Sequence, residues 1–192
     1  MSARDHADPL SVLLSRRSLS PRKLAEPGLS AQALHCVMEA ALRAPDHGRL
    51  LPWRVIEIPR QRREELAALF ADEKRCRSDA PSELDLTRAC EHALQPPTLL
   101  AFVTRCRPNL VATEPEQWLS AGSALGYLLL ACHAMGYAAI VLSGLRCRDE
   151  ALQRALGVGQ EERLSGFVSI GTAAAEPSPM PPNDLAKVLS TW

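Results

Sequence analysis

PEQWLSAGSALGYLLLACHAM, residues 115–135, is the longest helical pattern in the chain. It is rich in Ala, Leu and Gly, and its apolar residues run around it almost without a break. A helix on a protein surface keeps one polar face. Near-continuous apolarity instead predicts burial on most sides, as in a central helix or at a subunit interface. The uninterrupted apolar part, around Leu128–Leu130, stops at Cys132 and His133 and is too short to span a bilayer.

Apolar segments lie on either side of it. Thr98–Thr104 is short and unbroken, as a buried strand is. Ala138–Leu142 predicts a second strand, ending in Ser143-Gly144. Farther out, Trp53–Ile58 alternates and is β-branched, and Phe167–Ile170 runs into Gly171-Thr172. Helices fill the intervals. Asp8-Pro9 supplies an N-cap and a first-turn proline for a helix with Leu10, Leu13 and Leu14 on one face. That helix runs into Arg16-Arg17-Ser18, and Ser20-Pro21 ends it in a basic loop with Arg22 and Lys23. Ser30 caps a second helix, with Leu29 and Leu34 as a hydrophobic staple and Leu34, Val37, Met38, Ala41 and Leu42 facing the core. Ala44-Pro45 stops it, and Asp46-His47-Gly48 follows as a loop. Residues 61–73 predict a charged amphipathic helix, Leu84–Leu94 another, and Asp149–Leu156 a last one ending at Gly157. Residues 74–88 are the least patterned and are the candidate for a loop that closes over a site.

Helices and strands in uneven alternation predict an α+β fold, with helices packed on a central mixed sheet. The length suits a single domain, 1–192, with a core at 8–173. The tail, 174–192, carries Pro177, Pro179, Pro181 and Pro182 and is expected to lie extended across a surface, the partner subunit's included.

Composition narrows the function. Apolar residues make up 46% and charged residues 23%, so disorder is not the default state. Lys and Arg number 22 and Asp and Glu 22. A neutral chain has no broad electrostatic attraction for nucleic acid or an anionic membrane, so any phosphate must be held by a local cluster. The first residues, MSARDHADPL, form no apolar signal segment, and a cytoplasmic protein is expected. Cys36, Cys76, Cys90, Cys106, Cys132 and Cys147 are widely spaced without a CxxC pair. They read as reduced thiols, and no metal site is expected.

Four places could carry chemistry. Arg16, Arg17 and Ser18 join two guanidinium groups and a hydroxyl, which can grip a phosphate. Alone, they read equally as cations at a helix C-terminus. Arg43-Ala44-Pro45-Asp46-His47 is a proline-bounded loop before Pro52-Trp53 and a strand, where His47 could donate to a ligand or to its own backbone. Ser143-Gly144 ends a strand with a residue that lets backbone amides approach a flat ring, or simply makes a turn. Gly166–Thr172 is a strand ending in glycine and contains no GxGxxG. GxSxG, HExxH and P-loop patterns are absent. Cys132 and His133 lie within the apolar helix and read as core residues.

Taken in order, these motifs resemble the FMN-dependent nitroreductase family, especially its short, YdjA-like bacterial branch with an Ala-Pro-Asp-His loop. The resemblance covers residues from about 8 to 173. It implies a nitroreductase-like α+β fold, an intertwined homodimer, and FMN at the subunit interface. It also implies NADH or NADPH as electron donor and a nitroaromatic, quinone or similar small acceptor, reduced in alternating half-reactions. By the same resemblance, Arg16, Arg17 and Ser18 contact the FMN phosphate and ribityl chain, and Arg43 and His47 lie at the cofactor. Val141, Leu142, Ser143 and Gly144 approach the isoalloxazine ring, and Gly171 and Thr172 form a further cofactor-proximal turn. The flavin performs the hard step, so no catalytic side chain is expected. The chain departs from the branch where Val141 and Leu142 replace an aromatic and an arginine, and where Leu51 replaces a glutamine or asparagine before Pro-Trp. Its tail lacks the family's basic motif, since Lys187 is the only cation after Arg163. Two other readings stand beside this one: a degenerate flavin-binding or interaction protein of the same fold, and a flavin-fold enzyme with other redox chemistry.

Overall fold

The computed structural model describes residues 8–108, 111–177 and 184–192. Its centre is strand β3 (Thr98–Thr104), all of whose residues are buried. Alternate side chains of a strand point to opposite faces. Leu100 and Phe102 therefore enter one core, and Leu99, Ala101 and Val103 the other. β3 pairs antiparallel with β2 (Trp53–Glu57) on one side and β5 (Arg163–Ala173) on the other. The far edge of β5 is shared end to end: β4 (Ala138–Leu142) pairs with residues 167–171, and the two-residue β1 (Leu24–Ala25) with 172–173. The one parallel contact among the described residues is an isolated bridge between Ser18 and Ala139. The expected mixed, largely antiparallel sheet takes this form.

Helices cover both faces. On one, α2 (Ala31–Ala41) and α5 (Glu114–Ala134) bury Val37, Ala41, Ala124, Leu128 and Cys132 against Leu100, Phe102, Val168 and Ile170. On the other, α3 (Arg63–Arg77), α4 (Glu83–Leu94) and α6 (Glu150–Ala155) bury Leu66, Phe70, Ala93 and Leu152 against Leu99, Ala101 and Phe167. Each large side chain so buried contributes about 1.5–3 kcal/mol. Arg63 is also buried and donates to the carbonyls of Ile58, Ala93 and Pro96, which ties the end of α4 to the sheet. Burial pulls its pKa down to about 10. The first helix, α1 (Pro9–Ser15), is capped by Asp8, whose carboxylate accepts from the Ser11 amide at 3.1 Å. Its Leu10, Leu13 and Leu14 are all exposed.

Several expectations from sequence are corrected. Residues 74–88 are mostly helical, because α3 continues to Arg77 and α4 begins at Glu83. Ion pairs Arg75–Asp72 and Arg77–Glu73 extend the first, and a Ser82–Asp85 capping box starts the second. β5 is much longer than Phe167–Ile170, because Thr104 and β1 hold its polar ends in the ladder. Within a single chain α5 is covered on one side only, and Trp118, Leu119, Gly122 and Tyr127 form an exposed, largely apolar stripe, so the helix is not central and its expected burial is not complete in one chain. Of the tail, Pro179, Pro181 and Pro182 lie outside the described residues. Beyond them, Asp184 caps a short turn at Leu185–Lys187, and Val188, Leu189 and Trp192 are exposed. Among the described residues no helix is long and apolar enough to cross a membrane.

Candidate active site

The site begins at the outer edge of β4. One side of β4 is bonded to β5, and on the other the backbone pairing among the described residues comes from Ser18 and Leu19, the Leu19 amide donating to the Ala139 carbonyl at 3.4 Å. Strand backbone groups alternate in direction, so Val141, two residues on, turns its amide and carbonyl to the same open edge. At one end of this edge stand Arg16, Arg17 and Ser18. At the other, about 13 Å along the strand, are Ser143 and Gly144.

The cations at the first end have no carboxylate partner among the described residues. Arg16 donates to Ser18 Oγ at 3.3 Å, and Arg17 donates to the carbonyls of Leu14 and Arg16, each at 3.0 Å. Both guanidiniums retain donor capacity for an anion. The glycine at the second end needs its identity. Gly144 has φ 123° and ψ −159°, a conformation essentially closed to other residues, and nothing lies within 4 Å of where a Cβ would stand. Open space therefore meets the backbone there, as a flat ring would require. A wide cleft of about 1160 Å³ opens from Ser143 and Gly144 towards Trp118, Arg148, Arg154 and Ser165.

Behind Ser143 lies a smaller cavity of about 220 Å³, lined by Phe70, Arg77, His92, Leu142, Ser143 and Arg146 among others. Arg146 sits 4.1 Å over the Phe70 ring and 3.4 Å from the Glu73 carboxylate, which Arg77 also engages. Burial lowers the Arg146 pKa, although Glu73 opposes that shift. His92 Nδ1 lies 3.3 Å from the Arg146 guanidinium, which can only donate, so the ring accepts and is neutral there. Burial and then Arg146 lower its pKa. Two guanidiniums share one carboxylate, so the cluster carries a net positive charge beside Leu142.

The structure does not bring all the sequence candidates together. Arg43 is exposed just past the end of α2. His47 donates to Glu116 Oε1 at 3.0 Å, at the N-terminus of α5. Arg16–Ser18 lie at the other end of that helix, and from Glu116 to His133 the helix axis advances about 25 Å. Within one chain Arg43 and His47 are thus remote from Arg16. Gly171 and Thr172 are occupied in packing: a Cβ on Gly171 would meet Pro97 and the Ala25 carbonyl below 3 Å, and Thr172 Oγ1 donates to the Pro27 carbonyl at 3.0 Å.

Arg146 and His133 also line the candidate site, although no motif marks them and His133 reads as core in the sequence. The His133 ring is only partly buried and its Nε2 lies 2.9 Å from Ser15 Oγ, beside the two arginines. Burial first, then Arg16 and Arg17, lower its pKa. Its neighbour Cys132 is core: burial pushes that thiol up to about 12, which disarms it as a nucleophile. Among the described residues no group of His, Cys, Asp or Glu is arranged to hold a metal ion.

Comparison with known proteins gives a consistent result. The sequence pattern of the nitroreductase family matches residues 13–172. YdjA of Escherichia coli K12, named as a putative NAD(P)H nitroreductase, is 29% identical over 165 residues, 86% of this chain and 88% of that protein. A Haemophilus influenzae Rd protein of the same description is 33% identical over 171 residues, again 86% and 88% of the two chains. Among solved structures, a nitroreductase-like family protein from Bacillus cereus superposes with a TM-score of 0.82 at 15% identity, covering 100% of this chain and 99% of its own. The FMN- and NADPH-dependent nitroreductase NfnB from Sphigopyxis sp. strain HMH gives 0.78 at 18% identity, with 97% and 99% covered. The fold is nitroreductase-like.

Proposed function

The chain belongs to the nitroreductase family, and on that premise we propose that it is an FMN-dependent oxidoreductase. In this reading it takes a hydride from NADH or NADPH and, in a separate half-reaction, reduces a nitroaromatic, quinone or similar small acceptor. The observation that carries the reading is the open edge of β4, with unpaired guanidiniums at one end and an uncrowded glycine corner at the other. A mononucleotide with a phosphate, a chain and a flat ring matches that arrangement in order and kind.

When bound, FMN supplies the hydride chemistry. The residues of this chain bind and tune. Arg16, Arg17 and Ser18 hold the phosphate by charge-assisted bonds. The Val141 amide and the Ser143-Gly144 corner receive the ring edge. Leu142 stands where the family places an arginine, and Arg146 offers a cation in the cavity against Leu142 and Ser143. A fixed positive charge there favours the negative charge that a reduced ring carries. No side chain need act as acid or base.

A homodimer completes this site. The stripe of Trp118, Leu119 and Tyr127 on α5, the α1 leucines, and Leu185, Val188, Leu189 and Trp192 of the tail are all exposed on a single chain. Apolar surface of this extent signals an interface. Gly122 and Gly126 leave open space along α5, which allows another backbone to come close. A second copy would bring its own Arg43 and His47 to the β4 edge that they cannot reach within their own chain.

The test is a visible absorption spectrum of the purified protein with and without added FMN, followed by anaerobic NADH or NADPH. Flavin bands that bleach are expected. A colourless protein that takes up no FMN would overturn the proposal.

A further inference from the structure

We infer that His133 is a proton-linked positioning residue of the phosphate end: it fixes the last turn of α1, and with it Arg16 and Arg17, and gains a proton when a phosphate monoester settles on them. The inference rests on the phosphate site proposed above.

The hydrogen bonds define the ring's tautomer. Ser15 Oγ has one proton and gives it to the Ser11 carbonyl at 2.7 Å. Its lone pairs are left for His133 Nε2 at 2.9 Å, so the neutral ring donates from Nε2. Protonation then occurs at Nδ1 and leaves the bond to Ser15 intact. The same contact anchors the residue immediately before Arg16.

Two influences on that proton oppose each other. His133 lies in the last turn of α5, where the helix carbonyls favour a cation. Burial and the guanidiniums of Arg16 and Arg17 disfavour it, and hold the ring below its usual pKa. The remaining surroundings contribute little. β4 has no charged residue, α1 brings only Ser15, and on α2 the exposed His35 and Glu39 pair with each other at 3.8 Å. A dianion seated on Arg16 and Arg17 cancels the largest repulsion that the ring feels from charge. The ring pKa is then higher with phosphate bound than without, so binding takes up a proton. By linkage, affinity for the phosphate rises as pH falls from above the bound value towards the free one.

The test is the FMN dissociation constant at about pH 8 and about pH 6.5, a range in which the phosphate, with its second pKa near 6, stays largely dianionic. Riboflavin, which lacks the phosphate, is the control. FMN should bind several-fold more tightly at the lower pH, approaching tenfold per pH unit at most, and riboflavin should show no such trend. His133→Gln keeps a side-chain N–H for Ser15 but cannot take a proton, so it should fold normally, bind FMN and lose the slope. An FMN affinity that is flat with pH, or that keeps its slope in His133→Gln, overturns the inference. A second measurement is independent of flavin: an NMR titration of the His133 ring in the apoprotein with and without inorganic phosphate. An upward shift of its pKa supports the inference even if FMN fails to bind, which would sink only the cofactor reading. An unmoved pKa overturns it.

Discussion

The two ends of α5 each carry a histidine, and the chain treats them differently. At the N-terminus, Glu116 accepts from the Thr113 amide, the Thr113 hydroxyl and His47, at 2.7, 2.7 and 3.0 Å. The Thr113 amide first, then His47 and the hydroxyl, hold its carboxyl down at about 2. Asp46 nearby accepts from the Leu51 amide at 2.8 Å. Both carboxylates at this end are answered within the chain. At the C-terminus, Arg16 and Arg17 bond only to carbonyls and a hydroxyl, and His133 sits beside them against a serine. At the first end a carboxylate is paired within the chain, and at the second the two guanidiniums have no carboxylate partner among the described residues. The loop histidine His47 faces a carboxylate and the helical His133 faces two guanidiniums, so the charge of the neighbours distinguishes them.

The contrast can be broken at either end. The largest effect is expected from Arg16→Ala, which should weaken FMN binding by about 1.5–3 kcal/mol while leaving the apoprotein's melting temperature nearly unchanged. An unaltered FMN affinity would remove Arg16 from the phosphate site. At the other end, Glu116→Gln should act on the fold, lowering Tm by about 2–4 °C near neutral pH. The Glu116 carboxyl titrates lower in the folded state than its ordinary 4.5, so its contribution is present above that value and is lost as pH falls towards about 2. The Tm gap between wild type and Glu116→Gln should shrink over that range, and a constant gap would contradict the assignment. The smallest effect sharpens the comparison. Leu51 has φ 46°, in the left-handed region that disfavours leucine, and it is about half exposed. Leu51→Asn should stabilise the loop by about 0.5–1 kcal/mol, read by chemical denaturation. A destabilised variant would mean that the Leu51 side chain contributes packing that outweighs its backbone strain.

Much of the architecture is legible in the sequence. Thr98–Thr104 is unbroken and apolar because both its faces are covered, and Ser30 and Asp8 mark helix starts by their chemistry. The parts that escaped share a cause: partners distant in sequence. Residues 74–88 look unpatterned because their helices are stabilised by ion pairs and a capping box rather than by an apolar stripe. β5 looked short because its polar ends are held by strands elsewhere in the chain. The apolar run of α5 is legible, but which side its own chain leaves uncovered is not, since apolar residues give the same pattern whether they face the chain's own core or another surface. Within the site, Arg16–Ser18 and Ser143-Gly144 stood out as local clusters. His133 did not, because its partner Ser15 is 118 positions away. Arg146 did not, because its role comes from Glu73 and Phe70 on another helix. No reading of motif order could show that Arg43 and His47 lie a helix length from Arg16.

The open edge of β4 has a consequence for handling the protein. An unpaired strand edge is a template on which another chain can add a strand. Here the stretch past the Ser18 bridge is short, ends at a sharp glycine corner, and is followed by the exposed side chain of Leu145. If FMN lies along that edge as proposed, protein stored without it should be the more prone to aggregate, and the ligand would also act as a shield against mispairing.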